Sequence, residues 1–542
     1  MSSSGATGSD VREAERTRAG GPATATGSAL TRRPYAPATA VPVVSTAAPV
    51  AGAAGSVVPA STRSPAGHRP PYSPAHPPAE PDFGPHVRVF GPDTPVERIQ
   101  AALDAVAAEQ DGPGGKSSGY AFLFRPGDYD VDVRLGPRVS VAGLGLHPDD
   151  VTLRGAVRVD SEDEGEDRAE AGDGAPATFG RAAENLAFAP AGGTTRWAAT
   201  APLRRVHIRG RLQLHPRRGD FSGGGLIADS VVDGRPVDAA RRQGLVRDGA
   251  VAGRPDPEAS RVLAGAEGAP ARAFPSSPFT ATPYTAPAAT PLSREKPFLY
   301  VDERGRYRVF LPGLRHGAAG ASWAGGSTPG SSVPIDRFFV ARPTDAVRTL
   351  NKALSQGRHL LLTPGVYRLT GSIRVKWSGT VVLGLGAATL APQRGVVPMT
   401  VADARGVRIA GLVFEAGATA SRALLEIGDR RGGRTDPRDP ASVQDVFFRI
   451  GGAGGGGAAA ALVVNSDNVL LDHVGAWCAG AGRTAGAAGT GVVVHGDDVV
   501  ATGLFVAGFP KHDVVWNGGR GRIGARPAGG GRPRTGAVRA TT

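Results

Sequence analysis

The sequence predicts an all-β chain made of two tandem right-handed parallel β-helices, each opened by a short capping helix, with disordered segments at both ends. Three observations predict it. A template occurs twice: Pro126-Gly127-x-Tyr129 returns 238 residues on as Pro364-Gly365-x-Tyr367, and Gly143-Leu144-Gly145 returns 241 residues on as Gly384-Leu385-Gly386. A near-constant offset over two motifs marks an internal repeat. Short runs of alternating β-branched residues, VSV at 139–141, VTL at 151–153, VVL at 381–383 and VRI at 407–409, are punctuated by Gly, Asp or Asn, as strands are. These runs return at intervals of roughly 20 to 40 residues without amphipathic helices between them, which disfavours βαβ units and favours stacked coils.

In chain order, residues 1–86 are rich in Ala, Pro, Ser, Thr and Gly with few aliphatic anchors, a composition that stays disordered. Within them Arg32 and Arg33 precede a mildly apolar stretch at 36–60, which fits a twin-arginine export signal and an extracellular destination. The alternative is a proline-rich linker, since Pro37, Pro42, Pro49 and Pro59 interrupt the stretch and it holds no Leu. No run of about 20 apolar residues occurs, so no membrane span is expected.

The first module is expected over 87–313. It opens with a helix at 94–108, where Thr94, Pro95 and Glu97 spell a capping box with proline at the first helical position. Ile99, Leu103 and Val106 form its apolar face. Such a helix hides the unpaired backbone groups at the open end of a coil stack. Further rungs are legible at 185–188, 204–210, 222–230 and 243–248. The acidic run at 160–167 lacks EF-hand spacing and reads as a solvated loop. SREKPFLYVDERGRYRVFLP at 293–312 reads as a hairpin bridging the modules, followed by a linker at 314–334.

The second module is expected over 335–518, with its helix at 344–354 and rungs at 443–452, 461–477, 491–506 and 514–518. Asn468 and Asp498 fall at like positions 30 residues apart, the length of one large turn. After Gly518 the alternation stops. Residues 519–542 hold six Arg and no acid, the makeup of a GC-rich gene read out of frame, so the second module is expected to be truncated and to end without a cap.

Composition bounds the function. At 40% hydrophobic the chain can build a core, and its single cysteine, Cys478, excludes an intrachain disulfide. The formal charge of +13 suggests nucleic acid until it is located: much of the excess sits in the tail, and at 6% aromatics there is no basic-aromatic interleaving. Nucleic-acid binding is therefore not expected, nor is a cofactor or metal. The Gly-Leu-Gly motifs follow a strand but open no helix, which disfavours a dinucleotide site.

Residue types alone point weakly to chemistry. His473, His495 and His512 lie close in sequence to Asp472, Asp497 and Asp513. Adjacent strand residues face opposite ways, so these read as satisfied or solvent-facing histidines. Glu415 and Glu426 could form a carboxylate pair, but no periodicity brings them together. Trp477 could stack on a sugar ring or fill the core.

Taken together, the tandem template, the SREKPFLYVD linker and the late series ALVVNSDNV, AW, TGLFV and WNG resemble glycoside hydrolase family 55 over about residues 87–518. The similarity runs to its secreted actinobacterial homologues often labelled adenylyl cyclase or coagulation factor 5/8-type proteins, although nothing here looks like a cyclase site. The resemblance implies a pectate-lyase-like fold and an inverting exo-β-1,3-glucanase acting on β-1,3-glucan; a monomer is expected. It assigns Ser222 to positioning water and Trp477 to stacking on substrate. Three family features are missing. No glutamine lies in WAATAPLRRV at 197–206, Ala507 stands where a glutamate is expected after LFV, and the acid's Glu-Leu-Pro-Tyr motif does not follow Gly518. Two functions remain in view: a secreted β-1,3-glucan hydrolase, here a truncated and inactive copy, and a non-catalytic polysaccharide-binding or scaffold β-helix.

Overall fold

The structure, a computed structural model, describes residues 81–111, 119–136, 138–159, 180–198, 201–215, 225–234, 237–238, 244–251, 261–267, 287–326, 328–429, 433, 435–451, 456–479 and 488–524. The export stretch, the acidic run, Ser222 and residues 525–542 lie outside them. Among the described residues, strands from Val87 to Ala264 form a twelve-stranded and a five-stranded sheet, and strands from Phe338 to Gly524 form a nine-stranded and a six-stranded sheet. Neighbouring strands in these four sheets run parallel. From Val469–Ala479 the chain passes to Ala488–Val494 in the small sheet, returns at Val500–Ala507, crosses to His512–Trp516 and returns at Arg522–Gly524. Regular alternation between two parallel sheets makes this a parallel β-helix.

Both helices form, at Val96–Asp111 and Val347–Ser355. Ile99, Leu103 and Val106 are buried, as their spacing predicts. The capping box is corrected: the Thr94 hydroxyl accepts from the Gly91 amide at 3.4 Å instead of turning to the helix. Each helix also mends an open sheet end with one amide side chain. Gln100 donates to the Asp132 carbonyl at 3.0 Å and accepts the Asp132 amide at 2.9 Å. Asn351 does the same between the Ser372 carbonyl, at 2.9 Å, and the Arg374 amide, at 2.8 Å. Asp132 and Arg374 lie at the terminal strands Val133–Arg134 and Ile373–Val375 of the two small sheets. A terminal strand has no neighbour to pair with, and the side-chain amide supplies one donor and one acceptor in its place.

The duplicated motifs have matching jobs. Tyr129 and Tyr367 are fully buried, and each hydroxyl donates to the carbonyl four residues earlier, Arg125 at 2.7 Å and Thr363 at 3.0 Å. Each also reaches the strand that opens its own large sheet, at Phe90 and at Ala341. Gly143 and Gly384 lie where the next coil's backbone comes close: a Cβ at Gly143 would run into the Asn185 carbonyl, and one at Gly384 into the Gly411 carbonyl.

The piece at 293–312 holds an antiparallel hairpin, Phe298–Val301 with Tyr307–Pro312. The linker expected at 314–334 is corrected, because Leu314–Ala318 pairs with Thr290–Arg294 and Gly330–Pro334 adds a third strand to the hairpin. Leu299, Tyr307, Val309 and Leu311 of the hairpin join Ala121, Leu123 and Leu144 to Leu361, Val381 and Leu383 in one apolar cluster. That cluster glues the strands of the first sheets to those of the second. The stop at Gly518 is also corrected: Arg522–Gly524 still pairs with Val500 to Thr502, so the ladder runs six residues further than the alternation suggests. Gly and Arg lack the β-branched signature, but backbone pairing does not require it.

Candidate functional site

Each coil of the second large sheet turns a corner through one residue of left-handed backbone. Gly411 (φ 67°), Asp445 (φ 50°), His473 (φ 57°) and Gly503 (φ 68°) occupy that corner in four successive coils. Four residues beyond it the register aligns Glu415 with Arg449, Arg449 with Trp477 and Trp477 with Ala507. In-register neighbours on parallel strands share a face at a spacing of about 4.8 Å. The result is a straight file of a carboxylate, a guanidinium, an indole and a methyl group. Arg138, from the loop before Val139–Gly143 in the first large sheet, comes within 3.9 Å of Glu415, and Arg449 within 4.0 Å of it from the other side. Trp477 is half-buried, and its indole N–H is buried without a hydrogen-bond partner among the described residues.

The corner itself sits over a buried ionic network. Arg204 of the first large sheet grips Asp445 with two hydrogen bonds, Nε to Oδ2 and Nη2 to Oδ1, both 2.9 Å. Its Nη1 donates to Asp472 at 3.0 Å and to Glu295 at 3.1 Å. Arg247 binds Glu295 with two nitrogens, at 2.6 and 2.9 Å, and also reaches Asp248 and Asp472. Lys296 bridges Glu184 and Asp445, and His473 Nδ1 lies 2.7 Å from Asp445 Oδ1. His473 is sealed in by the edges of Phe447 and Phe505. Burial would raise both carboxyls, but Arg247 and Arg204 hold Glu295 at about 2, and Arg204, with Lys296 and His473, holds Asp445 well below the usual carboxylate range. Carboxylates held this low stay ionised at neutral pH and cannot act as general acids. The network ties strands of the two large sheets together through Arg204.

The remaining candidates separate. Glu415 and Glu426 stand in different sheets, and Glu426 is raised by burial against the pull of Arg422, 2.6 Å away. His495 faces Asn517 at 3.0 Å, and His512 is exposed. Asn468 and Asp498 are both left-handed corner residues, stacked one coil apart as their spacing predicts, with Arg520 following in the next coil. Trp197, at the start of the WAATAPLRRV segment, is fully buried and donates to the Ala201 carbonyl at 2.8 Å.

A file of indole, guanidinium and carboxylate suits a sugar, because the ring packs on the flat aromatic while hydroxyls pair with the charged groups. Comparison with known proteins agrees with that chemistry. Residues 338–525 match the LAM55 pectate lyase-like domain. The chain is 44% identical over 451 residues to an exo-β-1,3-glucanase of Streptomyces sp. (strain SirexAA-E / ActE), covering 81% of this chain and 72% of that enzyme. The chain belongs to glycoside hydrolase family 55. The solved structure of sacteLam55A from Streptomyces sp. SirexAA-E aligns with a TM-score of 0.73 at 42% identity, covering 82% of this chain and 79% of that one. A variant of the same protein in complex with glucose aligns equally well.

As a family 55 chain it carries Trp477 in the file facing Arg138, while Ser222 lies outside the described residues. Sequence reasoning missed Arg449 as the neighbour of Trp477 and Arg204 as a partner of Asp445 and Asp472. Ala507, singled out by resemblance, proves to be the next position of the file. Among the described residues Glu415 is the file's one carboxylate.

Proposed function

We propose that this chain is a β-1,3-glucan-directed carbohydrate-active protein, built as two tandem right-handed β-helices, that binds its polysaccharide along the Glu415–Arg449–Trp477 file and cleaves it poorly. One observation carries the reading: in a family 55 chain, the position beside the half-buried Trp477 is Ala507, a methyl group where the family resemblance calls for a carboxylate. Inversion needs an acid at the leaving oxygen and a base on the opposite face of the ring. A positioned general acid contributes about 10² to 10⁴-fold. Some ten residues beyond Gly518, where the family resemblance places the Glu-Leu-Pro-Tyr acid, this sequence has Gly, Arg, Pro and Ala instead. Extracellular action follows from Arg32 and Arg33 together with a polysaccharide substrate, and a monomer suffices because one chain supplies both sides of the site.

Laminarin tests the reading in two arms. The purified chain should be retarded by laminarin in affinity electrophoresis, lose that retardation on Trp477→Ala, and release glucose far more slowly than a version extended with a relative's C-terminal coils. Turnover equal to that of the extended version would overturn the weak-hydrolase reading, and no retardation by laminarin would overturn the substrate. Amino-terminal sequencing of secreted protein decides export, since an intact Met1 found only in the cytosol would exclude it.

A further inference from the structure

We propose that Arg204 is a positioning residue for Trp477: by clamping the corners of two successive coils it fixes the strands that carry Arg449 and Trp477 against the first large sheet. This deepens the glucan-binding reading and rests on it only for the ligand. Arg204 is nearly fully buried and belongs to the strand Leu203–Ile208 of the first sheet, yet its best bonds go to the second. It holds Asp445 by two bonds of 2.9 Å and Asp472 by one of 3.0 Å. Asp445 precedes Arg449 by four residues and Asp472 precedes Trp477 by five, each within one element that bends at its corner residue, Ala441–Gly451 and Val469–Ala479. Asp445 in turn fixes His473, the corner residue of the Trp477 strand. A fork of planar N–H donors sets angle as well as distance, and a lysine ammonium cannot reproduce it.

The geometry separates positioning from general stability, because Arg205 provides the control. It is equally buried, but its partners are Asn185, Asp229, Leu146, Ser322 and Thr328, none in the second large sheet. Arg204→Lys and Arg205→Lys therefore break comparable networks, and only the first loosens the file.

The test labels the whole chain with 5-fluorotryptophan and assigns the Trp477 ¹⁹F resonance by its loss in Trp477→Phe. Arg204→Lys should move or broaden the Trp477 line and leave that of Trp197, deep in the first core, in place. Arg205→Lys should leave the Trp477 line unchanged. Laminarin binding adds the functional arm: Arg204→Lys should weaken affinity about fivefold, the scale of coupling between contacting residues, and have little further effect in the Trp477→Phe background. An unmoved Trp477 line in folded Arg204→Lys, or equal changes at Trp477 and Trp197, would overturn the proposal. If the parent chain does not bind laminarin, the glucan reading falls alone and the resonance still decides the role of Arg204.

Discussion

At the scale of single residues, the close approaches between coils leave no room for a side chain at two matched positions. Gly143→Ala and Gly384→Ala would each drive a methyl group into a carbonyl of the next coil, at Asn185 and Gly411. Overpacking of this kind costs about 1–3 kcal/mol. Gly192 has open space around its Cβ direction and is exposed, so Gly192→Ala should stay within about 0.5 kcal/mol of the parent. Urea denaturation of the three variants checks the ranking. The Arg204 clamp makes a larger prediction. Removing one partner of a buried ionic network strands the others, so Arg204→Met should cost about 3–5 kcal/mol unless Asp445 is replaced with it. A double-mutant cycle with Asp445→Leu measures how much of that loss is the stranded carboxylate.

At the scale of elements, the two helices act through one amide each as well as through their apolar faces. Asn351→Ala should open the Arg374 amide to hydrogen exchange and cost about 1 kcal/mol, since a lost donor and acceptor are worth roughly that when partly shielded. Gln100→Ala should cost less, because water reaches both of its bonds to Asp132. Much of this level was legible beforehand. Alternation marked the strands because one side of each faces a core, and Ile99, Leu103 and Val106 marked the helix for the same reason. The file was not legible. Its members are separated by 34, 28 and 30 residues, from Glu415 to Arg449, Trp477 and Ala507, and unequal coil lengths hide a straight line. Resemblance singled out Trp477 and Ala507 separately, and only the register makes them neighbours. The clamp was still less visible, since Arg204 and Asp445 lie 241 residues apart and nothing in their own segments pairs them.

At the scale of the whole molecule, the ionic junction predicts a pH profile. Glu295 is held at about 2 against an ordinary 4.5, so its contribution to stability is complete above about pH 4.5 and is lost as pH falls toward 2. Asp445, also depressed, adds to the loss on that side. Asp229 acts in the opposite sense: burial and the charge of Glu295 raise it from 3.8 to about 7, against Arg205, so its contribution is complete below 3.8 and is lost as pH rises through 7. The melting temperature should therefore peak between about pH 4 and 5 and decline on both sides. Calorimetry across that range checks the shape, and Asp229→Asn should flatten the neutral limb while leaving the acid limb.

The amide plugs on Gln100 and Asn351 have a consequence for life in a crowded solution. A bare terminal rung offers a row of free donors and acceptors that another molecule's bare rung would fit, and molecules joined in that way would grow into filaments. Each helix fills part of that edge, at the end of its small sheet. If that cover is what keeps such chains apart, a chain stripped of Val96–Asp111 should elongate end to end under the electron microscope while its remaining coils stay folded.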